Sequence, residues 1–155
     1  MSDKIPVVIN INNKDVTLNI ESRLLLVDLL RNNLELKGTH IGCDTSQCGS
    51  CMVMIDGKCI KSCSILAVQC NKKSIKTIES IGKENNLSNV QKAFKENHGL
   101  QCGFCTPGFI MTAIECKKNN LSTEEEVREF LDGNFCRCTG YQNIVKSIIS
   151  FLKMP

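Results

Sequence analysis

Eight of the eleven cysteines fall into two sets whose spacing suits metal–sulfur chemistry. Cys43, Cys48, Cys51 and Cys63 share one 21-residue window. Their Cx4CxxC run, with a fourth cysteine beyond it, has the spacing of plant-type [2Fe-2S] ligation. Two ferric ions and two sulfides leave two positive charges, and four thiolates turn the site into a dianion that needs donors around it. Glycines let backbone N–H groups approach sulfur closely. Gly42 and Gly49, with the small Thr45, Ser46 and Ser50, supply that room. A structural zinc site is the competing reading. Zinc favours paired knuckles of the CxxC kind, whereas Cys63 stands alone beyond a hairpin, so the cluster is preferred.

The second set is Cys102 and Cys105, a CxxC pair, with Cys136 and Cys138, a CxC pair. Cys102-Gly103-Phe104-Cys105 alone would suit a redox dithiol at a helix start. A dithiol enzyme needs neither Cys136 nor Cys138, which argues against it. Four-cysteine zinc competes better, although the gap in Cys-Arg-Cys is tighter than a usual zinc knuckle. Spacing alone favours a second cluster and leaves structural zinc open.

The remaining candidates carry less. Cys59, Cys70 and Cys116 match no ligand spacing and read as small buried apolar residues. His40 and His98 stand too far from the cysteine pairs to be ligands, which argues against a Rieske centre with its two His ligands; both read as ordinary surface or hydrogen-bonding residues. Lys72, Lys73, Lys117 and Lys118 read as solvated faces, some of them available to a partner. Pro107 suits the first turn of a helix, where a missing N–H costs little.

Composition narrows the class. A net charge of +3, scattered over 155 residues, lacks the basic stripe that nucleic-acid binding requires. No apolar run approaches the roughly 20 residues that span a bilayer. The first residues show no apolar signal-peptide region. An odd number of cysteines in a chain without an export signal points to metal or redox use in a reducing compartment. The expectation is a soluble, cytoplasmic protein bound to neither nucleic acid nor membrane.

The elements that must position these cysteines change character along the chain. Residues 5–11 and 15–20 alternate as two strands around the turn-prone Asn12-Asn13. A short helix follows, with Leu25, Leu26, Leu29 and Leu30 on one face, ending near Gly38. Residues 38–51 form a loop, 52–55 a strand, Asp56-Gly57 a hairpin turn, and 75–78 a last strand. Composition turns polar at 82–89, which divides the chain into 1–82 and 83–155. Helices are predicted over 90–97 and 108–118. A third starts at a capping box with Ser122 as N-cap and Glu125 at N3 and runs to about 131. A fourth spans 143–153, with Ile144, Ile148 and Leu152 buried.

The segment Gly-Cys-Asp-Thr-Ser-Gln-Cys-Gly-Ser-Cys-Met-Val (42–53), with Ser62-Cys63 after it, resembles the iron–sulfur subunit of the molybdenum hydroxylases, the xanthine oxidase family. Residues 101–108, Gln-Cys-Gly-Phe-Cys-Thr-Pro-Gly, and 134–141, Asn-Phe-Cys-Arg-Cys-Thr-Gly-Tyr, resemble the two signatures of that family's helical domain. Asp44 to Gln47 look most like the branch holding the carbon monoxide dehydrogenase and aldehyde dehydrogenase small subunits. The resemblance covers nearly the whole chain, with no departure at the eight cysteines. It implies an α+β protein: an N-terminal β-grasp, ferredoxin-like domain followed by an all-α four-helix bundle, each with one [2Fe-2S] cluster. It also implies a large molybdopterin subunit and a medium FAD subunit as partners, in a heterotrimer or a dimer of heterotrimers. Electrons would pass from molybdenum to the helical-domain cluster, then to the β-domain cluster, then to FAD. Gln101 and Cys138 would lie next to the pterin.

Three functions follow from these readings: an electron-transfer subunit of a molybdenum hydroxylase, a free-standing ferredoxin, and a zinc-stabilised interaction module. A ferredoxin needs only the β domain, so the helical half favours the first. No phosphate-cradling GxGxxG loop is present, so flavin and nicotinamide are expected elsewhere. The substrate is set by the large subunit. An aldehyde is the first expectation, with carbon monoxide, an aromatic acyl-CoA or a purine as alternatives.

Overall fold

A computed structural model of the chain describes residues 4–155. Strands β1 (Lys4–Ile11) and β2 (Lys14–Glu21) pair antiparallel across Asn12 and Asn13, both at positive φ. That backbone matches the right-handed strand twist in a two-residue turn, and Asn tolerates it. A three-residue helix α1 (Leu26–Asp28) runs into a π-helical turn (Leu29–Asn33). Strands β3 (Met52–Ile55) and β4 (Lys58–Lys61) form a second hairpin on Asp56-Gly57. β5 (Ser74–Lys76) then inserts between the hairpins, parallel to β1 and antiparallel to β3. The sheet order is β2-β1-β5-β3-β4. Leu26, Leu29 and Leu30 cover the face presented by Val7, Ile9, Ile11, Val53 and Ile75. This is the helix-on-sheet arrangement of a β-grasp.

The helical half holds α2 (Asn89–Glu96), α3 (Thr106–Lys118), α4 (Glu124–Phe130) and α5 (Gln142–Leu152) around a second core. Phe94, Phe109, Val127, Ile144 and Ile148 are its buried anchors. Pro107 sits in the first turn of α3, as expected.

Four local expectations shift. The first helix ends at Asn33, not near Gly38, and its second half is π-helical, with the Leu34 N–H reaching the Leu29 carbonyl. The last strand stops at Lys76 because Asn12 claims Thr77: Asn12 Oδ1 accepts the Thr77 N–H and Asn12 Nδ2 donates to Thr77 Oγ1. The α4 cap is Thr123 with Glu126 at N3, one residue later than expected. The Glu126 carboxylate takes the N–H groups of both Ser122 and Thr123. Those bonds, Ser122's amide first, hold its carboxyl down at about 2. In α5, Phe151 is buried while Leu152 is only half-buried.

The halves meet where α3 lies on β3 and β4. Glu115 accepts the Cys59 N–H at 2.9 Å, and Lys118 Nζ donates to the Gly57 carbonyl at 2.9 Å. Lys117 Nζ donates to the Met154 carbonyl and sits over the Phe151 ring, so neither lysine is a freely solvated charge. Gly108 allows the closest approach: a Cβ there would stand 2.2 Å from the Gly49 carbonyl oxygen and 3.1 Å from Ser50 Cα. Both neighbours are backbone and cannot swing aside. Gly108→Ala is therefore expected to destabilise the protein by about 1–3 kcal/mol, the scale of overpacking a tight contact. Chemical denaturation of the variant against the parent chain checks this; an unchanged midpoint would show that the helix slides freely on the loop.

Candidate metal centres

The first site grows out of the loop between the π-helical turn and β3. Cys43 and Cys48 are half-buried on the loop, Cys51 is buried at the entry to β3, and Cys63 follows β4 in a 3-10 turn. The hairpin thus carries Cys63 back to the loop, with Cys51 Sγ and Cys63 Sγ 3.3 Å apart. Two sulfurs on one tetrahedral metal stand about 3.7 Å apart, given a metal–sulfur bond of about 2.3 Å. The loop winds through positive φ at Asp44, Ser46 and Gly49, which turns its amides inward. The N–H groups of Thr45, Gln47 and Cys48 all donate to Cys43 Sγ, at 3.3–3.4 Å. The Cys48 and Thr45 amides lead in lowering the Cys43 thiol to about 6. Burial instead pushes Cys51 up to about 11. A Cβ on Gly42 would stand 2.9 Å from Cys48 Sγ, so this position needs glycine for sulfur to approach the backbone.

The second site gathers the start of α3 and the turn before α5. Cys102 and Cys138 are exposed, Cys136 is half-buried and Cys105 is buried. Cys138 Sγ is 3.5 Å from Cys102 Sγ and 3.8 Å from Cys136 Sγ. Burial tends to raise the Cys136 thiol, but the Thr139 hydroxyl at 3.0 Å and its amide at 3.4 Å outweigh that and bring it to about 7. Cys105 goes the other way, pushed up to about 12 by burial. Tyr141, at φ +69°, accepts the Cys136 N–H on its hydroxyl. The buried Thr106 hydroxyl beside Cys105 has no hydrogen-bond partner, as expected of a donor reserved for a bound anion.

Each site therefore has one thiol poised to be a thiolate near neutral pH and one that gives up its proton on binding metal. Among the described residues, no three or more His, Cys, Asp or Glu side chains converge on a single-ion site. Thiols brought together pairwise, with amide and hydroxyl donors on the sulfur, fit a two-iron cluster better than one zinc ion. Within the predicted sets, the structure places Cys51 against Cys63 in the first, and Cys138 against both Cys102 and Cys136 in the second. Gln101 is exposed next to Cys102.

A cleft of about 460 Å³ has Gly42 and Cys48 on one wall and Cys102, Cys105, Cys136 and Cys138 on the other. The two loops also touch directly: the Phe135 N–H donates to the Cys48 carbonyl at 2.8 Å. Residues that the cysteine pattern did not single out serve both sites. Thr139, Tyr141 and Phe135 lie within a signature but act through hydrogen bonds that spacing cannot show. His40 bonds the Phe104 carbonyl through Nδ1 at 2.7 Å and stacks on the Phe104 ring, away from any ligand role.

Comparison with known proteins places this architecture. Residues 9–74 match the 2Fe-2S iron-sulfur cluster binding domain, and residues 77–149 the [2Fe-2S] binding domain. The chain belongs to the family of small iron–sulfur subunits of molybdenum hydroxylases and carries two [2Fe-2S] clusters. It is 45% identical to the caffeine dehydrogenase subunit gamma of a Pseudomonas species, over 92% of this chain and 87% of that one. It is 37% identical to the aldehyde oxidoreductase iron-sulfur-binding subunit of Escherichia coli, over 92% of this chain and 69% of that one. Among solved structures, quinoline 2-oxidoreductase from Pseudomonas putida superposes with a TM-score of 0.91 at 40% identity, over 97% of this chain and 95% of that one.

Cys70 and Cys116 are fully buried, one in each core, and Cys59 is half-buried with its thiol 3.1 Å from the Met111 carbonyl. Desolvation raises all three thiols, Cys70 to about 11 and Cys116 to about 12. Serine at Cys70 or Cys116 should cost about 1–3 kcal/mol for a buried hydroxyl, and less at Cys59, where that carbonyl can accept. All three variants should keep both reduced-state paramagnetic cluster signals. Loss of either signal would show that one of the three is a ligand.

Proposed function

We propose that Cys43, Cys48, Cys51 and Cys63 hold one [2Fe-2S] cluster and Cys102, Cys105, Cys136 and Cys138 the other, in domains spanning 1–82 and 83–155. The observation that carries the reading is one cleft lined by Cys48 of the first set and by all four cysteines of the second, with Cys102 and Cys138 exposed. The clusters supply one-electron transfer, and this chain's residues fix where electrons enter and leave. The second set, with Cys102 and Cys138 exposed, is the entry side, next to a large molybdopterin subunit, with Gln101 and Cys138 facing the pterin. The first set is the exit side, toward a medium FAD subunit. The three chains form a heterotrimer or a dimer of heterotrimers in the cytoplasm. None of the eleven cysteines is joined in a disulfide, which suits a reducing compartment, and no helix among the described residues is long and apolar enough to cross a membrane.

An aldehyde is the proposed substrate of the complex, supported by the aldehyde oxidoreductase relatives. Relatives named for caffeine and nicotine make an aromatic nitrogen heterocycle the second reading. Dye reduction by the purified complex with each compound class separates the two.

The order of transfer has its own test, anaerobic reduction of the assembled complex by substrate. Cys48→Ala should leave the helical-domain signal reducible and the flavin oxidised. Cys102→Ala should leave the β-domain signal oxidised as well. Flavin reduced at the parent rate in the Cys48 variant, once loss of that cluster is confirmed, would reverse the assigned order.

A further inference from the structure

Lys61 ends β4, two residues before Cys63, and is half-buried. Its ammonium takes part in none of the ion pairs among the described residues. It donates instead to two backbone carbonyls of the first cysteine loop, Ser46 at 2.9 Å and Gln47 at 3.1 Å. These belong to the peptide groups that also carry the N–H groups of Gln47 and Cys48. Both N–H groups donate to Cys43 Sγ at 3.3 Å. A trans peptide points its C=O and N–H in opposite directions. Two peptide dipoles therefore stand in line between one ammonium and one sulfur.

From the other side Lys61 is walled in by the helical half. A Cβ on Gly133 would lie 2.9 Å from Lys61 Nζ, and Gly133, at φ +90°, is a position suited to glycine. Gly49, at φ +71°, meets the same segment, since its Cβ would be 2.6 Å from the Gly133 carbonyl oxygen. The ammonium is thus held at the joint between the two cysteine loops.

We infer that Lys61 is a positioning residue and fixed counter-charge for the β-domain cluster. It orients and polarises the two peptide groups that donate to Cys43, and so favours the more negative, reduced state of that cluster over the helical-domain one. The inference rests on the proposed ligand set. Reduction adds one negative charge to an already anionic site, and hydrogen bonds to sulfur and nearby charge both set the potential of such a site. Lined-up donors strengthen one another in a low-dielectric surround. Lys58, exposed on the same strand, provides an equal change in net charge away from the loop.

The test is a redox titration of the complete complex, followed by paramagnetic resonance, with the two signals assigned from the Cys48→Ala and Cys102→Ala variants. Lys61→Met is expected to lower the β-domain midpoint potential well beyond any shift in Lys58→Met, with the helical-domain midpoint moving less. Lys61→Gln should fall between, since it keeps donors without charge, and Lys61→Arg should stay near the parent value. Equal midpoints in Lys61→Met and Lys58→Met, or equal shifts at both clusters, would overturn the inference. If Lys61→Met and Lys61→Gln fail to take up the first cluster, normal loading of Lys61→Arg supports the need for charge, and its failure overturns it. A parent complex without any signal abolished by Cys48→Ala would instead overturn the ligand assignment itself.

Discussion

Everything in this chain is arranged around the backbone contact between its two cysteine loops. The Phe135 N–H reaches the Cys48 carbonyl, Gly49 lies against Gly133, and Gly108 lies against Gly49. Side chains on Gly49 or Gly108 would drive the loops apart, because the neighbours they would meet are main-chain atoms or the buried Asn134 side chain. Electron transfer falls steeply with distance, so a protein that passes electrons between two centres has reason to bring backbones together without bulk between them. The interface of α3 with the β3–β4 hairpin serves that contact. Glu115 and Lys118 hold one end of the helix to the sheet, and Gly108 lets the other end press against the loop.

The two sites solve the same electrostatic problem with different materials. At the first, a loop forced through three positive-φ residues turns its amides onto Cys43. This costs conformational freedom and relies mainly on main-chain donors. At the second, the chain leaves a CxC pair too short to wrap around its own sulfurs, and the Thr139 side chain supplies a hydroxyl as well as an amide to Cys136. The strained Tyr141 takes up the Cys136 N–H that this turn leaves over. The first site is therefore shaped mainly by backbone and the second by the residues that follow the cysteines. Both end with the same mixture of an easily ionised thiol and a buried one.

The exposure of the two sets also differs in a way that suits a carrier placed between partners. Cys102 and Cys138 reach the surface, with Phe104 and Phe135 exposed in the same signatures and Leu100 exposed just before the first. Single exposed apolar residues are ordinary, but aromatic ones beside a redox centre suit a surface covered in an assembly. Cys51 and Cys63 are held inside or half inside the β domain.

Much of this was legible in the residues alone. The cysteine spacings marked both sites, since ligand geometry imposes fixed separations along a chain. The Asn12-Asn13 and Asp56-Gly57 turns were readable because few residues accept their backbone angles. Alternation in β1 and, except at Leu152, the periodicity of α5 reported burial directly. The misplacements were local. Asn12 ended β5 at Lys76 by bonding Thr77 across 65 positions, and Glu126 moved the α4 cap by accepting two amides where one was expected. Lys117 and Lys118 looked like solvated charge until the fold brought carbonyls to them, and nothing in the spacing singled out Lys61. The sequence by itself determined which atoms can bind metal, because that depends on residue type and short separations. Only the tertiary structure decided how the two sites face one another and which amides, hydroxyls and ammonium surround each sulfur, because those groups come from distant segments that meet only when the two cores pack.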